Sequence, residues 1–411
     1  MRAAALLLAA VLLGGGARAE PDADQLGQGM GYPLGNASSF FQPGFRVGSW
    51  SALDRVPGVL VRRVPAPAEA QPLPRSTEAV EIRYRFRNLQ YTLQDYLDRQ
   101  RATGLLVLKD GRIVAEHYRY GRREDARFLS FSMAKSVTSL LVGIALEQGL
   151  IASLDDPAAK YVRDLEGTAY GATSLRHLLR MSSGLTFTER YDGSDDVSRM
   201  GHAFATSSRG TLDVLRSVAD RHSPAGSTFR YASAETEVLG RVLAAATGRS
   251  LAELTAQWLW TPIGAEREAF WRIGRDGQEG ASAYFNATLR DWGRLGLLLA
   301  RDGRVGERQV VPREYLLDAT DPARQPAVFQ PRHATPYLGY GYQFWLLPLA
   351  ERSFVMQGVY GQGLFVQPAS GIVMVVTSVW QQPSGQQDPA PGQERNALWL
   401  GVLRSLGGKI D

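Results

Sequence analysis

The stretch Phe128-Leu-Ser-Phe-Ser132-Met-Ala-Lys135-Ser-Val-Thr138 opens an apolar run that reads as a helix from Ser132 to about Gln148, closed by Gly149. On a helix, residues three apart share a face. The Ser132 hydroxyl and the Lys135 amine can therefore meet without help from distant parts of the chain. A hydroxyl is a weak nucleophile until a neighbouring base takes its proton, and a lysine in a dry pocket can have its pKa lowered enough to be that base. The chain has only four lysines, Lys109, Lys135, Lys160 and Lys409, and all other cationic side chains are arginine. Arginine is not deprotonated in proteins and cannot take this role. A serine-x-x-lysine spacing arises by chance in about one such chain in four, so the rest of the sequence decides its meaning.

Upstream of that helix, Thr92–Gln100 reads as helical. Leu105–Leu108, the turn Lys109-Asp110-Gly111 and Arg112–Tyr120 read as a β-hairpin. Downstream, residues 151 to about 285 are mostly helical in pattern, with segments at Leu175–Met181, Thr236–Thr247 and Leu251–Leu259. Asn286–Arg301 follows as a further helix. Strands return late: Tyr342–Leu346, then a hairpin of Gln362–Gln367 and Ile372–Trp380 around Pro368-Ala-Ser-Gly371. Gln381–Glu394 reads as a polar surface loop and Asn396–Leu406 as a closing helix. Strands early, helices in the middle and strands late predict an α/β (α+β) fold. An antiparallel sheet is built from both chain ends and flanked by helices, with a helical lobe inserted and a site at the seam.

Composition bounds the rest. A chain of 411 residues with 44% hydrophobic and 21% charged residues can bury one large core. There is no cysteine, which excludes disulfides, cysteine-based metal sites and a thiol nucleophile. The net charge of +5 is mild and spread. The alternating Glu81-Ile-Arg83-Tyr-Arg85-Phe-Arg87 reads as a strand with one wet face, so no nucleic-acid partner is expected. Met1-Arg2, the apolar Ala3–Leu13 and Ala17-Arg18-Ala19 before Glu20 read as a signal peptide over 1–19. The expected location is periplasmic or secreted, without stable membrane insertion. Residues 20–94 are read as an extended arm whose Phe40, Phe41, Phe45 and Trp50 need cover, and 95–411 as the main domain. No G-x-S-x-G elbow and no H-E-x-x-H pair occurs, which disfavours a Ser-His-Asp or metal hydrolase; no cofactor is expected.

Two further pieces carry chemistry. Pro224-Ala-Gly226-Ser-Thr-Phe-Arg-Tyr231-Ala-Ser233 is a turn, a short strand and a helix start. A phenol there, near a cationic lysine, has its pKa lowered and passes protons; the plainer reading is a half-buried core tyrosine. Gln357-Gly358-Val-Tyr360-Gly361-Gln362-Gly363 suits a strand edge where backbone approaches a ligand closely. Its amides can supply half of an oxyanion hole; an irregular bulged loop explains it as well.

Taken in order, Ser132-x-x-Lys135, Leu154-Asp-Asp-Pro157, Leu175-Arg-His-Leu-Leu-Arg-Met-Ser-Ser-Gly-Leu185, Pro224-x-Gly226 before Tyr231-x-Ser233, and Gly358-x-x-Gly361-x-Gly363 resemble the serine β-lactamase-like hydrolases. That family holds class C β-lactamases, D-alanyl-D-alanine carboxypeptidases, family VIII esterases and nylon-oligomer (aminohexanoate-dimer) hydrolases. The text around Ser132 and Tyr231 resembles the last branch most. The resemblance implies Ser132 as nucleophile, Lys135 as base, Tyr231 as proton relay, and the amides of Ser132 and Gly363 as oxyanion hole. It also implies Tyr191, Tyr360 and Gln362 at the substrate. Tyr360 stands where β-lactamases carry a lysine for a substrate carboxylate, and Ser233 where they carry asparagine. The implied reaction is cleavage of small linear amides or esters, with a family VIII-type carboxylesterase or D-amino-acid peptidase as alternatives. An inactive peptide- or peptidoglycan-binding relative is the alternative of another class.

Overall fold

The computed structural model describes residues 20–70 and 72–410; the leader-like residues 1–19 lie outside them. A seven-stranded antiparallel sheet runs in the order Gly339–Tyr340, Trp345–Leu346, Phe354–Gly358, Gln362–Gln367, Ile372–Ser378, Ala102–Lys109 and Arg112–Tyr118. The early hairpin and the late strands meet where Ile372–Ser378 pairs with Ala102–Lys109. Side chains of successive strand residues point to opposite faces. Leu106, Leu108, Leu364, Val366, Val373 and Val375 therefore enter the core shared with the helical lobe. Leu105, Val107, Phe365, Met374 and Val376 pack under the helices Leu93–Arg99 and Ala390–Ser405. The strands are buried on both faces, which is why they read as continuous apolar runs.

The helix Met133–Glu147 is the mast of the fold. It is buried from Met133 through Ala145, as a helix apolar on all sides must be. It packs against the helix Ser233–Thr247 and the strand Phe354–Gly358. Its small hydroxyls satisfy buried carbonyls of distant segments: Ser136 Oγ donates to Gln343 O at 2.6 Å, Thr138 Oγ1 to Ala281 O at 2.9 Å and Ser139 Oγ to Tyr342 O at 2.7 Å. Buried carbonyls need such partners, so these bonds fix where the later loops cross the helix.

Several elements depart from the sequence-based expectation. Residues 20–94 are more than an extended arm. They form a helix, Pro43–Trp50, and a strand, Leu60–Val64, that pairs with Ala269–Ile273 in a second, four-stranded sheet with Phe285–Thr288 and Arg127–Leu129. The strand Ala269–Ile273 lies in a region read as helical; five mostly apolar residues are too short a run for periodicity to separate strand from helix. The boundary drawn at 94/95 falls inside the helix Leu93–Arg99. The closing helix starts at Ala390, with proline tolerated in its first turn, so part of the expected surface loop is helical.

The arm is locked to the body by its own core. Phe40, Val47, Trp50 and Leu53 bury against Tyr120, Leu129, Phe131 and Val379. Arg46, 8% exposed, donates to Phe41 O at 2.8 Å, Trp380 O at 2.7 Å and Gln381 O at 3.0 Å. Its guanidinium also lies over the Tyr360 ring, 4.7 Å from the centroid. Arg46→Ala leaves these carbonyls without their charged donor, so it is expected to destabilise the protein by roughly 2–3 kcal/mol. A urea unfolding midpoint unchanged from wild type would contradict this anchoring.

Candidate active site

Ser132 is the N-cap of the mast helix, so its own N–H precedes the first intrahelical acceptor. The residue before it, Phe131, has a φ of 42°, a left-handed conformation that costs a bulky side chain about 1–3 kcal/mol. It is held there by rings: Trp50 at 4.9 Å and Tyr360 at 5.5 Å between centroids. The chain thus turns sharply into the helix and presents the Ser132 hydroxyl at the seam between sheet and helical lobe.

Lys135 lies one turn on and is 1% exposed. Its Nζ donates to Ser132 Oγ at 3.0 Å and to the Ser282 carbonyl at 2.8 Å. Burial lowers its pKa to about 8, against the opposing pull of Glu189 and Glu237. Tyr231 comes from the turn before the helix Ser233–Thr247. Its ring stacks on Trp345 at 5.4 Å and lies 5.1 Å from the Lys135 Nζ, and its phenol is close enough to Ser132 to be influenced by it. Burial, then Glu189, pushes the Tyr231 phenol well above its ordinary pKa, and the Ser132 contact only partly offsets this. This corrects the expected lowering: burial holds the proton on the phenol and loosens it on the amine.

Tyr191 reaches the same cluster. Its hydroxyl donates to Glu189 Oε1 at 2.6 Å, and the same carboxylate accepts from Ser233 N at 2.7 Å and Ser233 Oγ at 2.8 Å. Asp195 holds the loop by accepting from the Arg190 and Tyr191 amides at 2.6 and 2.7 Å and by capping the helix Asp196–Thr206. Asp192 and Asp196 likewise serve local turn bonds, so the acidic run reads as loop architecture.

Three expected contacts fall elsewhere. Gly363 sits inside the sheet, opposite Gln357 on one side and Val376 on the other, and a Cβ there would point at Phe365 and Arg395 on the far layer. Gln362 is 2% exposed and its amide is spent on the Ser378 carbonyl and amide, at 2.8 and 3.2 Å. The Tyr360 ring joins the arm cluster of Phe41, Trp50, Phe131 and Arg46. Within the glycine-rich stretch it is Gly358 that approaches the turn before Ser132: a Cβ there would come within 2.4 Å of Ser130 O. The neighbouring strand Trp345–Leu346 pairs only with Phe354 and Val355, which leaves the edge from Met356 to Gly358 open beside Ser132. A glycine-rich text marks close approach but does not say which glycine makes it.

Sequence reasoning missed Glu189, Glu237, Ser282 and Trp345, which carry no motif and become neighbours of Lys135 and Tyr231 only through the fold. It also missed Glu235. This residue is 2% exposed, and its Oε1 accepts from Ser183 N at 3.3 Å and Ser183 Oγ at 2.6 Å, fixing the Ser-Gly-Leu turn. Among the described residues no cluster of His, Cys, Asp and Glu could hold a metal ion, and no helix is long and apolar enough to cross a membrane.

Burial raises the Glu235 pKa to about 8. The native state therefore binds a proton that the unfolded state has lost, and this contribution to stability is present at low pH and fades as pH rises toward 8. Glu235→Gln keeps the acceptor for Ser183 and removes the titration. The variant should gain stability over wild type between about pH 5 and 8 and level off above that. Parallel urea midpoints for the two proteins across that range would count against a neutral Glu235.

The β-lactamase family model matches residues 89–397. A 6-aminohexanoate-dimer hydrolase of Paenarthrobacter ureafaciens is 26% identical over 300 residues, 71% of this chain and 76% of that protein. Among solved structures, a candidate 6-aminohexanoate-dimer hydrolase from Bacillus anthracis has a TM-score of 0.77 at 23% identity, covering 89% of this chain and 96% of its own. A family VIII carboxylesterase has a TM-score of 0.55 at 16% identity over 75% of this chain and 93% of its own. These two structural likenesses concern the fold.

Proposed function

The chain belongs to the β-lactamase family, and on that footing we propose that it is a serine hydrolase that cleaves small linear amides or esters through an acyl-enzyme on Ser132. The observation that carries this reading is the buried Lys135 amine 3.0 Å from the Ser132 hydroxyl, with its pKa lowered to about 8. Neutral Lys135 takes the Ser132 proton as Oγ attacks the substrate carbonyl. The oxyanion accepts from the Ser132 amide and from an amide of the open edge at Gly358–Val359, in place of Gly363. As the carbonyl re-forms, the bond to the leaving amine or alcohol breaks and the Tyr231 phenol supplies its proton, which the Lys135 ammonium replaces. Water, deprotonated by the same amine, then releases the acid.

The similarity to the Paenarthrobacter enzyme supports a linear amide, as does Tyr191 held by Glu189 beside Tyr231, on the leaving-group side. Esters ask for the same acylation chemistry with an easier leaving group. A β-lactam is a poorer fit, because Tyr360 offers no charge to a substrate carboxylate and its ring packs on Arg46 and Trp50. The leader-like residues 1–19 add that the enzyme works after export.

The test is turnover of the linear aminohexanoate dimer and of a short nitrophenyl ester. Ser132→Ala and Lys135→Ala should each lose at least about 10³-fold in kcat, and Tyr231→Phe about 10²-fold. Near-wild-type turnover in Ser132→Ala would end the acyl-enzyme reading. Because Lys135 must be neutral to act, kcat/KM should rise with pH through about 8. A profile flat from pH 6 to 10 would exclude Lys135 as the base.

A further inference from the structure

Lys135 makes one bond that the chemistry does not use, to the Ser282 carbonyl at 2.8 Å. That carbonyl belongs to a turn held from two sides. Thr138 Oγ1, on the mast helix, donates to Ala281 O at 2.9 Å. Behind the turn, Glu237 Oε1 accepts from Ser282 N at 2.9 Å and from Ser282 Oγ at 2.6 Å. Glu237 is 6% exposed and projects from the helix that Tyr231 leads into. A buried carboxylate is costly unless its neighbours favour the charge. Burial raises the Glu237 carboxyl above its ordinary pKa, and the Ser282 bonds, then Arg241 one turn along the helix and Lys135 across the turn, pull the other way; Arg241 is itself paired with Asp276 at 2.9 Å. Glu279 lines the same small cavity as Glu237, Arg241 and Asp276. On its other side Lys135 faces Glu189 and Tyr231.

We propose that Glu237 is a positioning residue for Lys135: through two bonds to Ser282 it aims the Ser282 carbonyl at the amine, and its carboxylate, together with that of Glu189, favours the ammonium form. The proposal rests on the Ser132–Lys135 reading and adds a residue that the motif does not contain. The two functions of Glu237 separate cleanly. Both bonds from Ser282 end on one oxygen, so Glu237→Gln keeps the acceptor and removes only the charge. Glu237→Leu removes both. Without the nearby negative charge the Lys135 ammonium is less stable, so its proton leaves at lower pH.

The readout needs no natural substrate. A fluorophosphonate probe reacts as Ser132 Oγ bonds to phosphorus, fluoride departs and the Ser132 proton passes to Lys135, so its labelling rate follows the fraction of neutral amine. In full-length protein, the midpoint of the rate against pH should move down by about half a unit or more in Glu237→Gln. Its plateau at high pH should stay within about twofold of wild type, because the geometry is kept. Glu237→Leu should lose about tenfold or more on that plateau. An unmoved midpoint in Glu237→Gln overturns the proposal, and it does so even if Glu237→Leu fails to fold. Ser132→Ala separates the two levels: labelling that persists there overturns the nucleophile assignment itself, whereas an unmoved Glu237→Gln midpoint with Ser132→Ala unlabelled overturns only the role of Glu237.

Discussion

The structure depends on one costly placement, a lysine amine taken out of water at the start of a buried helix. Desolvation disfavours the ammonium, and a partner carboxylate offsets that only with good geometry and further hydrogen bonds. Here, among the described residues, no carboxylate touches Lys135. It is met by a hydroxyl and a peptide carbonyl, and the acids Glu189 and Glu237 stand one group away. The amine is thereby held in place without being locked in its charged form. A direct salt bridge would hold the same side chain more firmly and keep it charged.

Keeping that amine dry while exposing the hydroxyl beside it demands a sharp entry into the helix. Phe131 provides it at a φ of 42°, and Tyr360, at the end of the open strand edge, adopts a φ of 60°. Both strained residues place their rings in one cluster with Trp50 of the arm. The energy that holds these two backbones in an uncommon region comes from aromatic burial contributed by residues 40–53. The arm is thus part of the site's support, and its helix is tied to the loop behind Tyr360 through Arg46.

The two titratable groups around Ser132 are driven in opposite directions by the same dry pocket. Burial makes the amine easier to deprotonate and the phenol harder. Environments that push neighbouring groups apart in this way sort them into a base and an acid. Glu189 adds to the effect on Tyr231 while organising Tyr191 and Ser233 through three hydrogen bonds. The polar shell around the site is therefore built from one helix start and one loop, both on the helical lobe.

Local pattern alone determined the mast helix, the Ser132–Lys135 pairing on its face, the two hairpins and the order of strands and helices that makes a sheet from both chain ends. Those features depend on spacings of three or four residues, on alternation, and on turn residues, all of which act within one segment. Tertiary structure decided which glycine approaches the turn before Ser132, that Gln362 turns inward, that the arm carries a strand of its own, and that burial holds the proton on Tyr231. It also brought Glu189, Glu237 and Ser282 to Lys135 from separate parts of the chain. Strand partners, burial depth and the sign of a pKa shift arise from contacts between segments far apart in sequence, and no local spacing encodes them.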